Sequence, residues 1–291
     1  MPSAAVLSLL LASLLWGSSF VVAKNALAFF HPMTLMFLRM LAAAIAFCPL
    51  IPSLRKVKVA RRDLPLFLIM FLCEPCLYFI CESNALRHTS ASQAGMIIAA
   101  QPLFTAAGAW LFFRERSNVR VWIGIFLTIA GVIWISFAGG GTEAAPNPPL
   151  GNILEVGAAV AASTYAVASK RVSRSYPPLF LAALQAAAGV LFFGPAVLIS
   201  GAPLPAVFEP GPFLSVVYLG VIITMAAFAL YNYGLSRLPA PRAIVFLNVI
   251  PVFTLIMSFI FLGEHFSAGQ WAASALVLGG VFLCQQRKAD A

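Results

Sequence analysis

Residues 86–132 and 235–281 align without a gap at an offset of 149 positions, and this self-similarity constrains the chain more than any other feature. Leu86 meets Leu235, Ala91 meets Ala240, Ala94 meets Ala243, and Pro102 meets Pro251. Phe104-Thr105 falls on Phe253-Thr254, Phe112 on Phe261, Glu115 on Glu264, Trp122 on Trp271, Leu127 on Leu276, and Gly131-Val132 on Gly280-Val281. A shared proline within an apolar run, followed by a shared Glu-x6-Trp, is more than apolar bias supplies. Earlier segments match at an offset of 146: Pro32, Leu35, Leu38, Ala42, Phe47 and Pro49 meet Pro178, Leu181, Leu184, Ala188, Phe193 and Pro195. The chain reads as one unit written twice.

The unit belongs in a bilayer. Hydrophobic residues make up 62% of the 291 residues and charged residues 9%, against roughly 45–50% and 25% in soluble domains. Ten apolar runs are long enough to span, at 4–24, 32–51, 64–84, 93–113, 120–138, 150–170, 178–199, 213–234, 242–262 and 268–286. A hydrocarbon core needs about 20 residues of helix, and backbone polar groups in lipid must be satisfied within the segment. The predicted fold class is therefore an all-α polytopic membrane protein of ten transmembrane helices in two five-helix repeats, residues 1–138 and 150–291, joined by a Gly/Pro-rich loop at 139–149. Five is odd, so the second copy enters the membrane upside down, giving an inverted repeat. The first run lacks a basic leader and is expected to be a retained helix.

The net charge of +9 is not a nucleic-acid signature, because the basic residues sit in short links between runs. With the N-terminus inside, the inner links hold all of the 18 Lys and Arg except Lys24, Arg87 and Arg39. That bias places both termini in the cytoplasm. Cys48, Cys73, Cys76, Cys81 and Cys284 all lie in apolar runs and read as small apolar residues. His31, His88 and His265 lie in loops without clustering, and there is no His-Glu-x-x-His, Gly-x-Ser-x-Gly or Walker-type loop. Neither an enzyme, a metal site nor a cofactor is expected.

Polar residues within the spans carry the functional expectation, because an ionisable group at mid-membrane costs roughly 2.5–3.5 kcal/mol on insertion scales. Glu74, Tyr78 and Glu82 share one face of the third helix, with Pro75 kinking it beside Glu74. They read as a cavity wall. The plainer alternative leaves Glu82 wet at the outer end and Glu74 paired with Arg39. Tyr231 and Asn232 in the eighth helix, Gln101 in the fourth and Asn248 in the ninth are further candidates, with Pro102 and Pro251 as kinks. Arg39 and Gln185 are repeat-related, and each is either a solute contact or polar glue between helices. Trp16 and Tyr165, related at 149, can stack on a solute or fill the core.

Two five-helix units, Trp16-Gly-Ser-Ser-Phe in helix 1, Arg39 in helix 2, Pro102 in helix 4, and the Arg114-Glu115 and Gly263-Glu264 ends of helices 4 and 9 resemble the EamA branch of the drug/metabolite transporter superfamily, most closely its YddG-type aromatic amino-acid exporters. The resemblance covers essentially the whole chain. It implies a central cavity on helices 1, 3, 4, 6, 8 and 9 and efflux of amino acids or similar metabolites across a bacterial inner membrane. The matching cavity positions are Trp16, Glu74, Tyr78, Glu82, Gln101, Tyr165, Tyr231, Asn232 and Asn248. Tyr165 stands where a Trp is common in the second unit. The expected partners are a small solute and the lipid bilayer, with the protein a monomer or weak homo-oligomer. Efflux of organic cations, or a non-transport receptor or assembly role, are the rival readings.

Overall fold

The computed structural model describes residues 2–105, 107, 119–138, 141–205, 209–238 and 246–285. Each predicted run is helical in its described part. The Arg114-Glu115-Arg116 link, the end of the fourth run and the start of the ninth lie outside the described residues. In chain order the helices are α1 (Pro2–Ala26), α2 (Pro32–Phe47), α3 (Arg61–His88), α4 (Ala91–Ile98), α5 (Val119–Ala138), α6 (Pro148–Val172), α7 (Pro178–Ser200), α8 (Pro210–Arg237), α9 (Phe246–Leu262) and α10 (Ala268–Gln285). α2 runs on through a 3-10 turn to Leu54.

Among the described residues six helices are both long and apolar enough to cross a membrane: α1, α2 with its extension, α3, α6, α7 and α8. Shorter apolar helices among the described residues are Trp122–Ala138, Phe246–Leu262 and Ala268–Leu283. Large apolar side chains such as Phe126, Phe137, Leu191, Leu198, Ile199 and Phe261 stand exposed on the outer surface. In water such a surface would aggregate; in lipid it is the solvent-compatible face.

Local sequence starts and stops these helices. Pro32, Pro148 and Pro178 occupy first-turn positions, where a missing N–H costs nothing. His31 Nδ1 accepts from Met33 N, and Asn147 Oδ1 accepts from Leu150 N. α9 ends at Gly263, whose φ of 63° suits glycine. The chain then turns so that the Glu264 carboxylate accepts 2.9 Å hydrogen bonds from both Ala91 N and Ser92 N at the start of α4. An acidic group there also complements the helix dipole.

The main core gathers residues of α1, α2, α3, α4, α6, α7, α8 and α9. α2 packs along α7, α3 along α6, and α1 against α8 and α9. α5 and α10 form a tight pair, with small apolar clusters that also take in Met96, Ala100 and Leu103. Small residues allow that approach: a Cβ on Gly131 would fall 2.7 Å from Val277, and one on Gly280 would fall 2.5 Å from the Gly124 carbonyl oxygen. Those two glycines are 149 positions apart, as are Thr128 and the Val277 carbonyl it bonds.

Further contacts repeat at the same offsets. Lys24 Nζ at the end of α1 donates to the carbonyls of Leu86 (2.5 Å) and Thr89 (2.7 Å), closing the C-terminus of α3. Lys170 Nζ near the end of α6 donates to the carbonyls of Leu235 and Leu238 (2.5 Å), closing the C-terminus of α8. A cation is favourable at a helix C-terminus. Lys24 adds a third bond, 2.5 Å to Ala144 O in the inter-repeat loop.

Candidate functional site

α3 and α8 are both interrupted at mid-length by wide, π-type turns, over Leu72–Leu77 and Tyr218–Ala227. Such widened turns leave backbone groups to be satisfied from outside and recur at functional sites. In α3 the cause is Pro75, which has no N–H to donate, and Glu74 takes non-helical angles (φ −147°, ψ 116°). In α8 Thr224 Oγ1 donates to the Leu219 carbonyl five residues back, at 2.9 Å. α4 and α9 are also discontinuous. α4 breaks at Ala99–Ala100 and helix resumes over 101–105, while a 3-10 turn, Phe246–Val249, precedes the helix from Ile250. Pro102 and Pro251 therefore sit in the first turn of a restarted helix and not as kinks within a continuous one.

A small cavity lies between these interrupted helices. Trp16, Ser19 and Phe20 of α1, Arg39 of α2, and Glu74, Tyr78, Phe79 and Glu82 of α3 form one side. Ile98 and Gln101, Ala162 and Tyr165 of α6, Phe228 and Tyr231 of α8, and Leu247 and Ile250 of α9 complete it.

Its polar centre is an ordered assembly. Arg39, 2% exposed, donates from Nε to Thr224 Oγ1 at 2.9 Å. Its NH1 lies 4.0 Å from Glu82 Oε2, and its guanidinium stacks 4.2 Å above the Phe79 ring. Tyr78 Oη donates to Glu82 Oε1 at 2.7 Å. Arg39 thus ties α2 to both interrupted helices, and Glu82 is the carboxylate it pairs with. Glu82 is buried at 3% exposure, so neither a wet Glu82 nor an Arg39–Glu74 pair describes the molecule. Glu74, 6% exposed, faces the cavity from the π-turn. Aromatic rings cluster in the same lining: Trp16 lies 4.9 Å from the Tyr231 ring and 5.3 Å from Phe228, centroid to centroid.

Of the residues singled out by sequence, the cavity brings together Trp16, Arg39, Glu74, Tyr78, Glu82, Gln101, Tyr165 and Tyr231. Three stand apart. Gln185 is buried behind the wall, accepting from Tyr165 Oη at 3.3 Å. Asn232 accepts from Ser169 Oγ at 2.8 Å, on the α6 side of α8. Asn248 falls between the lining residues Leu247 and Ile250. Lys24 lies away from the cavity lining and is engaged by three backbone carbonyls.

Sequence reasoning missed Phe79 and Phe228, which are two among 25 Phe, and it missed Glu155. That residue is the only acid in the run 150–170 and is fully buried in α6. A lone acid in a span is a signal that could have found it. Among the described residues no group of three or more His, Cys, Asp or Glu is placed to hold a metal ion.

Comparison with known proteins follows the same two-part division of the chain. A family model described as the EamA-like transporter family matches residues 3–137 and again 149–284. The chain is 26% identical to YetK, an uncharacterised transporter of Bacillus subtilis, over 98% of this chain and 87% of that one. It is 28% identical to YcxC, another uncharacterised transporter of Bacillus subtilis, over 95% and 91%. A probable terminal-alkyne amino-acid exporter of Streptantibioticus cattleyicolor is 26% identical over 98% and 94%. A crystal structure superposes with a TM-score of 0.65 at 23% identity, over 97% of this chain and 96% of the other, a likeness of fold.

Proposed function

The chain belongs to the EamA-like transporter family, and on that premise we propose that it exports amino acids with aromatic or other apolar side chains by alternating access. One observation carries this reading: a single cavity holds a guanidinium, carboxylates and aromatic rings. A zwitterion with an apolar side chain needs those three features. Arg39 is suited to the solute carboxylate, Glu74 to its ammonium, and Trp16, Tyr231 and Phe228 to its side chain. The relative named as a probable amino-acid exporter supports the same solute class.

The interrupted helices suggest how the cavity changes sides. α3, α4, α8 and α9 are the moving group in this reading, rocking against the rest, with residues 1–138 and 150–291 acting as inverted halves joined by 139–149. Location in a bacterial inner membrane accords with the family, and the charge bias of the links puts both termini in the cytoplasm. The process is binding and release, with no covalent step.

Efflux of organic cations is the second reading. It is favoured by Glu74, an acid at the cavity with no hydrogen-bond partner recorded among the described residues, beside aromatic rings. Purified protein in liposomes, preloaded with unlabelled phenylalanine, separates the two. Uptake of labelled phenylalanine that other apolar amino acids suppress is the expected result. Suppression by tetraphenylphosphonium, but not by amino acids, would transfer the assignment to cations.

A further inference from the structure

Glu155 lies outside the cavity lining, and nothing in the proposed cycle uses it. It is fully buried, and neither carboxyl oxygen has a hydrogen-bond partner among the described residues. The packing of α6 on α3 fixes what surrounds it. A Cβ on Gly151 would meet Thr89 and the Ala85 carbonyl, and one on Gly157 would meet Cys81 Sγ at 3.3 Å. Glu155 lies between these two glycines, against the stretch of α3 that carries Glu82. Glu82 and Tyr78 are close enough to act on it electrostatically, and so is its neighbour Cys81.

The charges around Glu155 can be named element by element. α3 presents Tyr78, Cys81 and Glu82, with Glu74 two turns from Glu82. α2 contributes Arg39, which is already engaged by Glu82 and Thr224. The described α4 helix, Ala91–Ile98, carries no titratable group, and α5 only Arg120 at its far end. α8 presents Tyr231, beyond Tyr165. Among the described residues no cation pairs with Glu155, so an anion there would be dehydrated, undonated and beside a second anion. Burying a charge without a partner costs far more than a packed site recovers. A metal ion has no oxygen shell to complete there.

A hydrogen-bonded polar network lies near Glu155 on the same helix. One turn earlier on α6, Asn152 accepts from Thr89 Oγ1 (2.7 Å) and donates to Gln93 Oε1 (2.8 Å) and Ser136 Oγ (2.9 Å). Thr89 lies at the end of α3, where Lys24 binds its carbonyl and reaches the exposed inter-repeat loop. Glu155 thus stands between this network and the Arg39–Glu82–Tyr78 assembly at the cavity.

We propose that Glu155 is a proton-binding site, neutral in the conformation described here, which couples passage through this conformation to carriage of a proton. The coupling half of this statement rests on the transporter reading; the site itself does not. The physical logic is a population argument. The packed α3–α6 seam admits the neutral acid and rejects the anion, so losing the proton favours a state in which that seam opens to water. The proton leaves to that water, and its return permits the seam to close.

Infrared spectroscopy of the full chain in lipid tests the site without a solute. The spectrum of the wild type minus that of Glu155→Gln near neutral pH should show a protonated-carboxyl carbonyl stretch. A difference spectrum without that band overturns the proposal. Coupling is read from labelled-phenylalanine counterflow against pH. The wild-type rate should vary with pH, Glu155→Gln should be flat, and Glu155→Asp should recover a pH dependence at a shifted midpoint. A pH profile in Glu155→Gln that matches the wild type overturns the coupling role. Absence of counterflow in the wild type would count against the proposed function, and the infrared result would still decide the site.

Discussion

α3 and α8 stand at corresponding places in the two halves, and their central segments coincide at the offset of 149. Leu72–Leu77 falls within the wide turn Tyr218–Ala227, and Glu82 falls on Tyr231. Both are widened at mid-length, both border the cavity, and both end on a lysine from a neighbouring helix. Their chemistry differs. α3 brings carboxylates and reaches its irregular turn through a proline. α8 brings hydroxyls and rings, and reaches its turn through a threonine that also accepts from Arg39. A duplicated scaffold has kept its backbone device and divided the chemistry, so that carboxylates from one half and rings from the other line one cavity. Such a cavity suits a solute that is itself polar at one end and apolar at the other.

Arg39 joins the two helices, and removing it should break the comparison most severely. Arg39→Met leaves Glu82 buried without its cation, at a cost of about 3–5 kcal/mol. Thermal unfolding in detergent should show a large fall in midpoint, and adding Glu82→Gln should restore much of it. If the double variant is as unstable as the single one, Arg39 acts through packing and not through charge.

The two tyrosines sharpen the contrast. Tyr78 Oη donates to a carboxylate, whereas Tyr231 Oη is buried without a partner among the described residues. Tyr78→Phe should cost about 1.5–3 kcal/mol, the range for a hydrogen bond to a charged group. Tyr231→Phe should leave the unfolding midpoint nearly unchanged. Equal effects in the two variants would mean that the two helices are alike.

The smallest expected effect lies at the lysines. Lys24→Met and Lys170→Met each remove a cation from a helix C-terminus, a contribution of up to about 2 kcal/mol in partly buried settings. Lys24, with a third carbonyl at Ala144, should be the costlier loss. Amide exchange at the ends of α3 and α8 checks each locally. Faster exchange at the end of α8 in Lys24→Met would contradict the pairing described.

Much of this was legible in the sequence. Apolar length and turn residues located the helices, because lipid leaves the backbone no alternative to internal hydrogen bonding. The i, i+4, i+8 spacing of Glu74, Tyr78 and Glu82 located the charged wall, because a helix puts such residues on one side. What failed was the choice of face on helices without such a pattern. Asn232 follows Tyr231 directly, so a turn of about 100° carries it away from the cavity toward Ser169. Glu155 was missed because its burial depends on how α6 lies on α3, a matter of close-packed glycines that one sequence does not display.

The most direct test of the central claim is counterflow of labelled phenylalanine in liposomes holding wild-type protein, Glu74→Ala or Tyr231→Ala, with Glu143→Ala in the exposed inter-repeat loop as control. The account predicts uptake by the wild type and the control and a loss of at least about tenfold in both cavity variants, equivalent to 1.4 kcal/mol per solute contact. Unimpaired uptake in both cavity variants, with the proteins shown to be folded, would place the solute elsewhere and contradict it.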